Sequence, residues 1–218
     1  MTSIVRTITE NLSPARLWPL LFTVSYTAFS MIYFASIGNS EFIAYIAVII
    51  FLLVLGGCVL THQCVPAWIL WLLSLVGLLH LLGAAVIVNG DILYNYVPVY
   101  IENPSGLTFI KFDQIVHTIG SAVAAVLMYY FLRRDTMFHW LGIGVFSVLG
   151  SIGIGSLNEV IEFIAKMNVS DTDVGGYYNT AVDLCVNLFG ALLGTMLAFL
   201  FWKPNAKVLS FKGEQMPT

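Results

Sequence analysis

Charged residues are scarce in this chain. Asp, Glu, Lys and Arg make up 10% of its 218 residues, whereas 59% are hydrophobic. The 4 histidines are too few for the histidine boxes of membrane desaturases. The sequence also lacks the His-Glu-x-x-His pattern, the Gly-x-Ser-x-Gly elbow, a P-loop and any basic cluster suited to nucleic acid. No recognisable signature of a reaction is therefore present.

Cysteine is also rare, with 3 residues at Cys58, Cys64 and Cys185. An odd number without a close pair argues against a disulfide framework. We expect all three to be small buried hydrophobic residues in or beside helices.

Long apolar runs dominate what remains. The mean hydropathy is +0.89, and several runs exceed the roughly 18 residues that cross a hydrocarbon core of ~30 Å. Because lipid offers the backbone no hydrogen bonds, such runs are expected to be helices. The alternating pattern of a β-barrel is absent. Six transmembrane helices are predicted, near residues 17–37, 42–60, 67–88, 110–132, 137–165 and 177–202.

The predicted fold is an all-α polytopic membrane helix bundle. We expect a single domain over residues 1–218, with a cytoplasmic tail at 203–218. Lys and Arg are enriched in cytoplasmic loops, and they predict that both termini lie in the cytoplasm. In that orientation Lys111 and Lys166 are outside, and the inner residues are Arg6, Arg16, Arg133, Arg134, Lys203, Lys207 and Lys212.

The long outer loop at residues 89–109 carries Tyr94, Tyr96 and Tyr100. Tyrosine favours the membrane interface, where its ring is buried and its hydroxyl is hydrated. This tendency predicts an interfacial anchor more strongly than a lid over the outer mouth of the bundle.

Polar and ionisable residues nevertheless interrupt the apolar helices. A charge at the centre of a membrane helix costs about 2.5–3.5 kcal/mol, so such residues indicate a functional site by default. The rise of ~1.5 Å per residue places those of four helices about 5–15 Å below the outer surface. They are His80, Asp113, His117, Asn158, Glu159, Glu162, Asp183 and Asn187.

Several of these residues also share helix faces, because side chains three or four positions apart project from the same side. Histidines and carboxylates at such spacings hold transition metals inside helix bundles. A cation would also offset the repulsion between buried carboxylates. The same groups suit a proton relay or a cationic head group. The sets are Asp113 with His117, Glu159 with Glu162, and Asn179 with Asp183 and Asn187.

Two of these sets differ in how well a purely structural role explains them. Asp113 and His117 suit a hydrogen-bonded pair near a helix start as well as they suit a site. Glu159 and Glu162 favour a site, because like charges on one helix face repel each other.

The remaining polar residues are individually less specific. His80 alone is more typical of a hydrogen-bonded core histidine, and Asp183 with Asn187 can join helices by hydrogen bonds. His62 and His139 are predicted to lie at the inner membrane interface.

Three motifs follow one another in a recognisable order. They are Asp113-Gln-Ile-Val-His117, Asn158-Glu159-Val-Ile-Glu162 and Asp183-Leu-Cys-Val-Asn187-Leu-Phe-Gly190. This order resembles that of VanZ-like membrane proteins. It is more similar to the YjdF-type family of bacterial inner-membrane proteins, in which a His-x-x-Gly element like His80-Leu-Leu-Gly83 comes first.

The resemblance covers roughly residues 75–195. It implies a multi-helix protein of the bacterial inner membrane and no particular activity, since the family has no agreed one. Family members carry acidic residues where this chain has Asn179 and Asn187, so this chain offers fewer charged ligands.

The leading hypothesis is a catalytic site that binds a divalent metal ion or protons, opens to the extracytoplasmic side and acts on a lipid or envelope-derived substrate. Alternatives are a small proton-coupled transporter or binding protein that uses the same carboxylates, and a structural or partner-binding subunit. Asp113 is expected to orient a ligand or to act as a general base. The expected metal ligands are His80, His117, Glu159, Glu162 and Asp183, with Asn158, Asn179 and Asn187 in support.

Overall fold

The computed structural model describes residues 13–39, 42–43, 46, 49–50, 65–100, 110–134, 139–168 and 176–202. Within these ranges lie α1 (Pro14–Ser36), α2 (Ala67–Ala85), α3 (Phe112–Leu132), α4 (Trp140–Asn168) and α5 (Tyr177–Phe201). All 5 helices are long and apolar enough to cross a membrane. The all-helical membrane fold is therefore confirmed, while the count of six and the position of the termini remain predictions. The predicted span at 42–60 lies largely outside the described residues, and the tail at 203–218 lies wholly outside them.

The helices expose apolar side chains and bury polar ones. Phe29 is 72% exposed and Leu200 is 70% exposed, whereas histidine, carboxylate, amide and hydroxyl side chains lie inside. Exposed apolar surface on this scale marks contact with a membrane or another protein. Together with the length and hydropathy of the helices, it identifies an integral membrane protein.

Cys185 is exposed on α5, so its expected burial is wrong. The buried face of α5 includes Asp183 and Asn187. At about 100° per residue, a side chain two positions after Asp183 points away from that face. Cys58 and Cys64 lie outside the described residues.

The chain divides into two compact units, and the division passes through α3 and α4. Unit 1 consists of Met1–Val116 and Val160–Val174, and unit 2 consists of His117–Glu159 and Gly175–Thr218. Each unit therefore contains part of α3 and part of α4.

Hydroxyl groups join α1 to α2 in unit 1. Thr23 Oγ1 and Ser74 Oγ lie 2.6 Å apart, and the Tyr26 hydroxyl donates to the Ser74 carbonyl at 2.9 Å. Gly77 leaves room for the Tyr26 hydroxyl. Such interhelical hydrogen bonds are common in membrane proteins, where two apolar helix faces gain little by leaving lipid for each other. Apolar packing near the other end of these helices involves Phe34, Leu81 and Ala84, together with Phe42, Ile46 and Ala165.

A short β-hairpin follows α2. Strands β1 (Ile87–Val88) and β2 (Asp91–Ile92) pair antiparallel, with Ile87 opposite Ile92. Asn89 and Gly90 connect them with φ values of 55° and 88°. Two left-handed residues in succession form a type I′ turn, for which Asn-Gly is the preferred dipeptide. The hairpin ends α2 at Ala85, before the predicted boundary at residue 88.

Tyr94 attaches the chain after the hairpin to α2. It lies in a 3₁₀ turn (Leu93–Asn95), and its hydroxyl donates to the His80 carbonyl at 2.6 Å. Its ring lies against Gly83, where a Cβ atom would meet it at 2.6 Å. Tyr96 accepts a main-chain hydrogen bond from Phe112 at 2.8 Å, which joins this segment to the start of α3.

Candidate functional site

In unit 2, helices α3 and α5 run parallel and pack closely against each other. Gly190 lies against the carbonyl of Thr118, and Gly194 lies against that of Ala122. A Cβ atom on either glycine would come within 3.0 Å of the carbonyl oxygen. The glycines on α5 thus allow the backbones of the two helices to touch, as small residues spaced four apart do in membrane proteins.

The third helix of unit 2, α4, runs antiparallel to α5. Gly155 lies against the Asn187 side chain, and Gly144 lies against Thr195 and Phe199. Residues four apart on a helix stand one above the other. The three helices therefore stack their inward residues in successive layers.

These layers are polar at one end. We call His117, Glu159 and Asp183 the first layer, Ser121, Gly155 and Asn187 the second layer, and Ala125, Ser151 and Ala191 the third layer. Asp183 and all members of the third layer are 0% exposed, Asn187 is 1% exposed, and His117 and Glu159 are each 7% exposed.

In the first layer the imidazole of His117 lies close to one carboxyl group on α4 and to another on α5. His117 Nδ1 lies 3.5 Å from Glu159 Oε1, which makes an ion pair if His117 is protonated. A ligand atom of Asp183 lies within 4.8 Å of one of His117. The sequence predicted that these residues face inward, and the structure buries all three in unit 2.

Two further acidic residues flank this layer on the same helices. Asp113 precedes His117 by one turn of α3. Glu162 follows Glu159 by one turn of α4. Both flanking residues are half-buried.

The first turn of α3 is held by a side chain of its own. Gln114 Oε1 accepts a hydrogen bond from the Lys111 N–H at 2.7 Å. This is one half of a capping box, in which the third helical residue reaches back to the residue before the helix. It fixes Asp113 in the first turn, where the helix dipole favours a carboxylate.

Asp183 is held by the residue one turn before it. Asn179 Nδ2 donates to Asp183 Oδ2 at 2.6 Å. Asn179 is a position where YjdF-type proteins were expected to carry an acid. In this chain the amide fixes the carboxylate by donating to it, where a second acid would repel it. Asn179 is therefore suited to orienting Asp183.

The second layer includes two residues that lie outside the sequence motifs, Ser121 and Gly155. Ser121 Oγ donates to Asn187 Oδ1 at 2.7 Å, and Ser151 Oγ donates to the Ser121 carbonyl at 2.7 Å. Ser121 follows His117 by one turn and Gly155 precedes Glu159 by one turn. Extending the four-residue period from His117 and from Glu159 would have predicted Ser121 and Gly155.

His80 lies on α2, in unit 1. Its ring meets the Tyr94 ring edge-on, with centroids 5.5 Å apart. Among the described residues it belongs to no group of three close ligand residues. Asn158 is half-buried on α4. A ligand role for His80 and a supporting role for Asn158 remain predictions.

The fold and the site define a class: polytopic membrane proteins whose apolar helices enclose a histidine–carboxylate cluster. A family model described as "Predicted membrane protein (DUF2238)" matches residues 18–204, and the chain belongs to this family. The resemblance to YjdF-type proteins is consistent with this membership, whereas a relation to VanZ-like proteins is not shown. Searches of curated proteins and of solved structures each found no match.

Proposed function

We propose that this protein is a metal-dependent enzyme of the bacterial inner membrane. In this proposal His117, Glu159 and Asp183 hold a divalent transition-metal ion, and the site opens to the extracytoplasmic side. The substrate is a lipid or an envelope-derived molecule. The observation that carries the proposal is that the buried His117 on α3 lies close to a buried carboxyl group on each of α4 and α5.

The spacing between His117 and Glu159 suits a shared ion. The 3.5 Å between His117 Nδ1 and Glu159 Oε1 exceeds the roughly 2.7–2.9 Å of a strong charge-assisted hydrogen bond. Two ligands about 2.1 Å from a tetrahedral ion would lie ~3.4 Å apart. One imidazole with two carboxylates is a ligand set for zinc, manganese or iron.

The charge of the layer supports the same proposal. Two ionised carboxylates with a neutral imidazole carry two negative charges in an apolar environment, and a divalent cation balances them. Buried charges are costly unless they are paired or coordinate a metal. Three protein ligands would leave one position of a tetrahedral ion open, as in catalytic zinc sites.

The flanking acids then have defined roles. Asp113 lies beside His117 on α3, and carboxylates next to ligating histidines commonly fix the ring orientation. In this proposal Asp113 would also serve as a general base. Glu162 lies beside Glu159 on α4 and would carry protons or add a ligand oxygen. The metal would supply Lewis-acid activation of a carbonyl or phosphoryl group, or of water.

Metal analysis of the purified, detergent-solubilised protein tests the proposal. After stripping and reloading with zinc or manganese, we expect stoichiometric metal in the wild type and a loss in His117→Gln and Glu159→Gln. His139→Gln and Asp91→Asn are matched controls, because both residues are exposed, and they should retain metal. Gel filtration would verify that the variants fold. Sub-stoichiometric metal in the wild type, or unchanged metal in both site variants, overturns the proposal.

A small proton-coupled transporter or binding protein is the second candidate. Buried hydroxyls continue beyond the site, with Ser147 and Ser151 at 0% and Thr195 at 6% exposure. This interior is more polar than the apolar inner halves of the helices suggested. Proton flux into proteoliposomes that is present in the wild type and lost in Glu162→Gln would favour this candidate over the enzyme.

A further inference from the structure

A buried amide donor lies one helical turn beyond the proposed metal ligands. Asn187 follows Asp183 by one turn of α5, and its side chain is 1% exposed. Its Oδ1 accepts a hydrogen bond from Ser121 Oγ at 2.7 Å. Its Nδ2 is buried and has no hydrogen-bond partner among the described residues. A buried N–H group without an acceptor is energetically costly, so a bound ligand that supplies an acceptor atom would stabilise it.

The neighbouring residues hold this amide in place. A Cβ atom on Gly155 would lie 2.7 Å from Asn187 Nδ2, so the glycine gives the amide its space on α4. Ser151 Oγ donates to the Ser121 carbonyl, which ties the hydroxyl-bearing residue to α4 as well. Helices α3, α4 and α5 thus all contribute to fixing the Nδ2 group.

The chemistry around this group indicates what it binds. The carboxylates of Glu159 and Asp183 repel an anion in the absence of a cation. With a divalent ion held there, their charge is balanced, and a neutral N–H donor one turn away adds attraction for an oxygen atom. Residues four apart on a helix have Cβ atoms about 5–6 Å from each other. One ligand can therefore span the ion and the amide.

We propose that Asn187 Nδ2 donates a hydrogen bond to a phosphoryl or carboxyl oxygen of the ligand that occupies the metal site. This inference rests on the proposed function and narrows its substrate class to molecules with an anionic oxygen. Asn187 is then a binding residue for the substrate and is not a metal ligand.

Cobalt(II) substitution tests the proposal with a readout that does not require the enzyme's reaction. The visible spectrum of the cobalt-loaded protein is recorded during titration with inorganic phosphate and, separately, with formate. In the wild type we expect a saturable spectral change with at least one of the two anions. In Asn187→Asp, which keeps the shape and an oxygen but removes the donor, the apparent Kd should rise roughly 10-fold or more.

Two further variants complete the design. Gly155→Ala places a methyl group against Nδ2 and should weaken the anion response while the amide remains in the chain. Thr195→Val alters a buried hydroxyl two turns further along α5 and should leave the response as in the wild type. Cobalt affinity is measured for each variant, and its retention shows that the metal ligands are still in place.

The outcomes separate this inference from the proposed function. Absence of cobalt binding in the wild type overturns both. Cobalt binding without a response to either anion overturns the substrate class alone. A response that is unchanged in both Asn187→Asp and Gly155→Ala shows that Asn187 does not contact the ligand. A response lost in Gly155→Ala but kept in Asn187→Asp assigns the contact to the side-chain oxygen and overturns the donor role.

Discussion

Replacing Gly194 by alanine should force α5 away from α3 and destabilise the protein. The added Cβ atom would lie 2.7 Å from both the carbonyl carbon and the Cα atom of Ala122, and closer still to its oxygen. Carbon atoms in ordinary contact are about 3.5–4.0 Å apart, so the helices must separate by roughly 1 Å. A backbone carbonyl inside a helix cannot rotate out of the way.

The expected magnitude follows from two opposing terms. Overpacking costs about 1–3 kcal/mol, and the rigid neighbour places this case near the upper end. Alanine gains back about 1 kcal/mol relative to glycine through helix propensity. The net loss in the free energy of unfolding is therefore about 2 kcal/mol. Gly190→Ala should behave similarly, because its Cβ atom would lie 3.0 Å from the carbonyl carbon of Thr118.

Reversible unfolding in mild detergent, followed by tryptophan fluorescence, measures this loss. Gly153→Ala is the matched control, since a Cβ atom there meets nothing within 4 Å. Gly150→Ala is an intermediate case, because its Cβ atom meets the flexible end of Met128 at 2.6 Å. If Gly194→Ala unfolds at the same denaturant concentration as Gly153→Ala, the close approach of α3 and α5 is refuted.

Two further predictions concern the opposite end of unit 2 and the orientation of the chain. The Tyr129 hydroxyl donates to the Trp202 carbonyl at 2.9 Å, so Tyr129→Phe should lower the unfolding free energy by about 0.5–1.5 kcal/mol. The exposed Tyr178→Phe serves as control, and equal stability of the two variants would contradict a contribution from the bond. Alkaline phosphatase inserted at Tyr100 should be active, and green fluorescent protein fused after Arg134 should fluoresce. The reverse pattern would overturn the extracytoplasmic opening of the site.

The periodicity of the sequence was sufficient to predict the first layer. Hydropathy located the helices, and the four-residue spacing put Asp183 and Asn187 on one face of α5. The lengths of the helices placed His117 and Glu159 at a similar depth. Each of these inferences uses distances along a single helix, which the 3.6-residue turn determines.

The contacts between different helices could not be predicted from the sequence. The position of His80 along α2 does not determine the direction in which its side chain points, and its ring packs against Tyr94. The contact between Gly155 and Asn187 depends on the register of α4 against α5, which no pattern within either helix determines. The Asn89-Gly90 dipeptide is typical of such a hairpin. The residues of β1 are hydrophobic, however, and the sequence therefore predicted them to be the end of α2.

The main-chain hydrogen bond between Phe112 and Tyr96 has a consequence for chain length. This hydrogen bond holds the two ends of the intervening segment together. Lengthening such a stretch is inexpensive, since each doubling adds only about 0.6 kcal/mol of closure entropy. We therefore expect that an epitope inserted between Tyr96 and Phe112 leaves Asp113, the residue after Phe112, in its position at the start of α3.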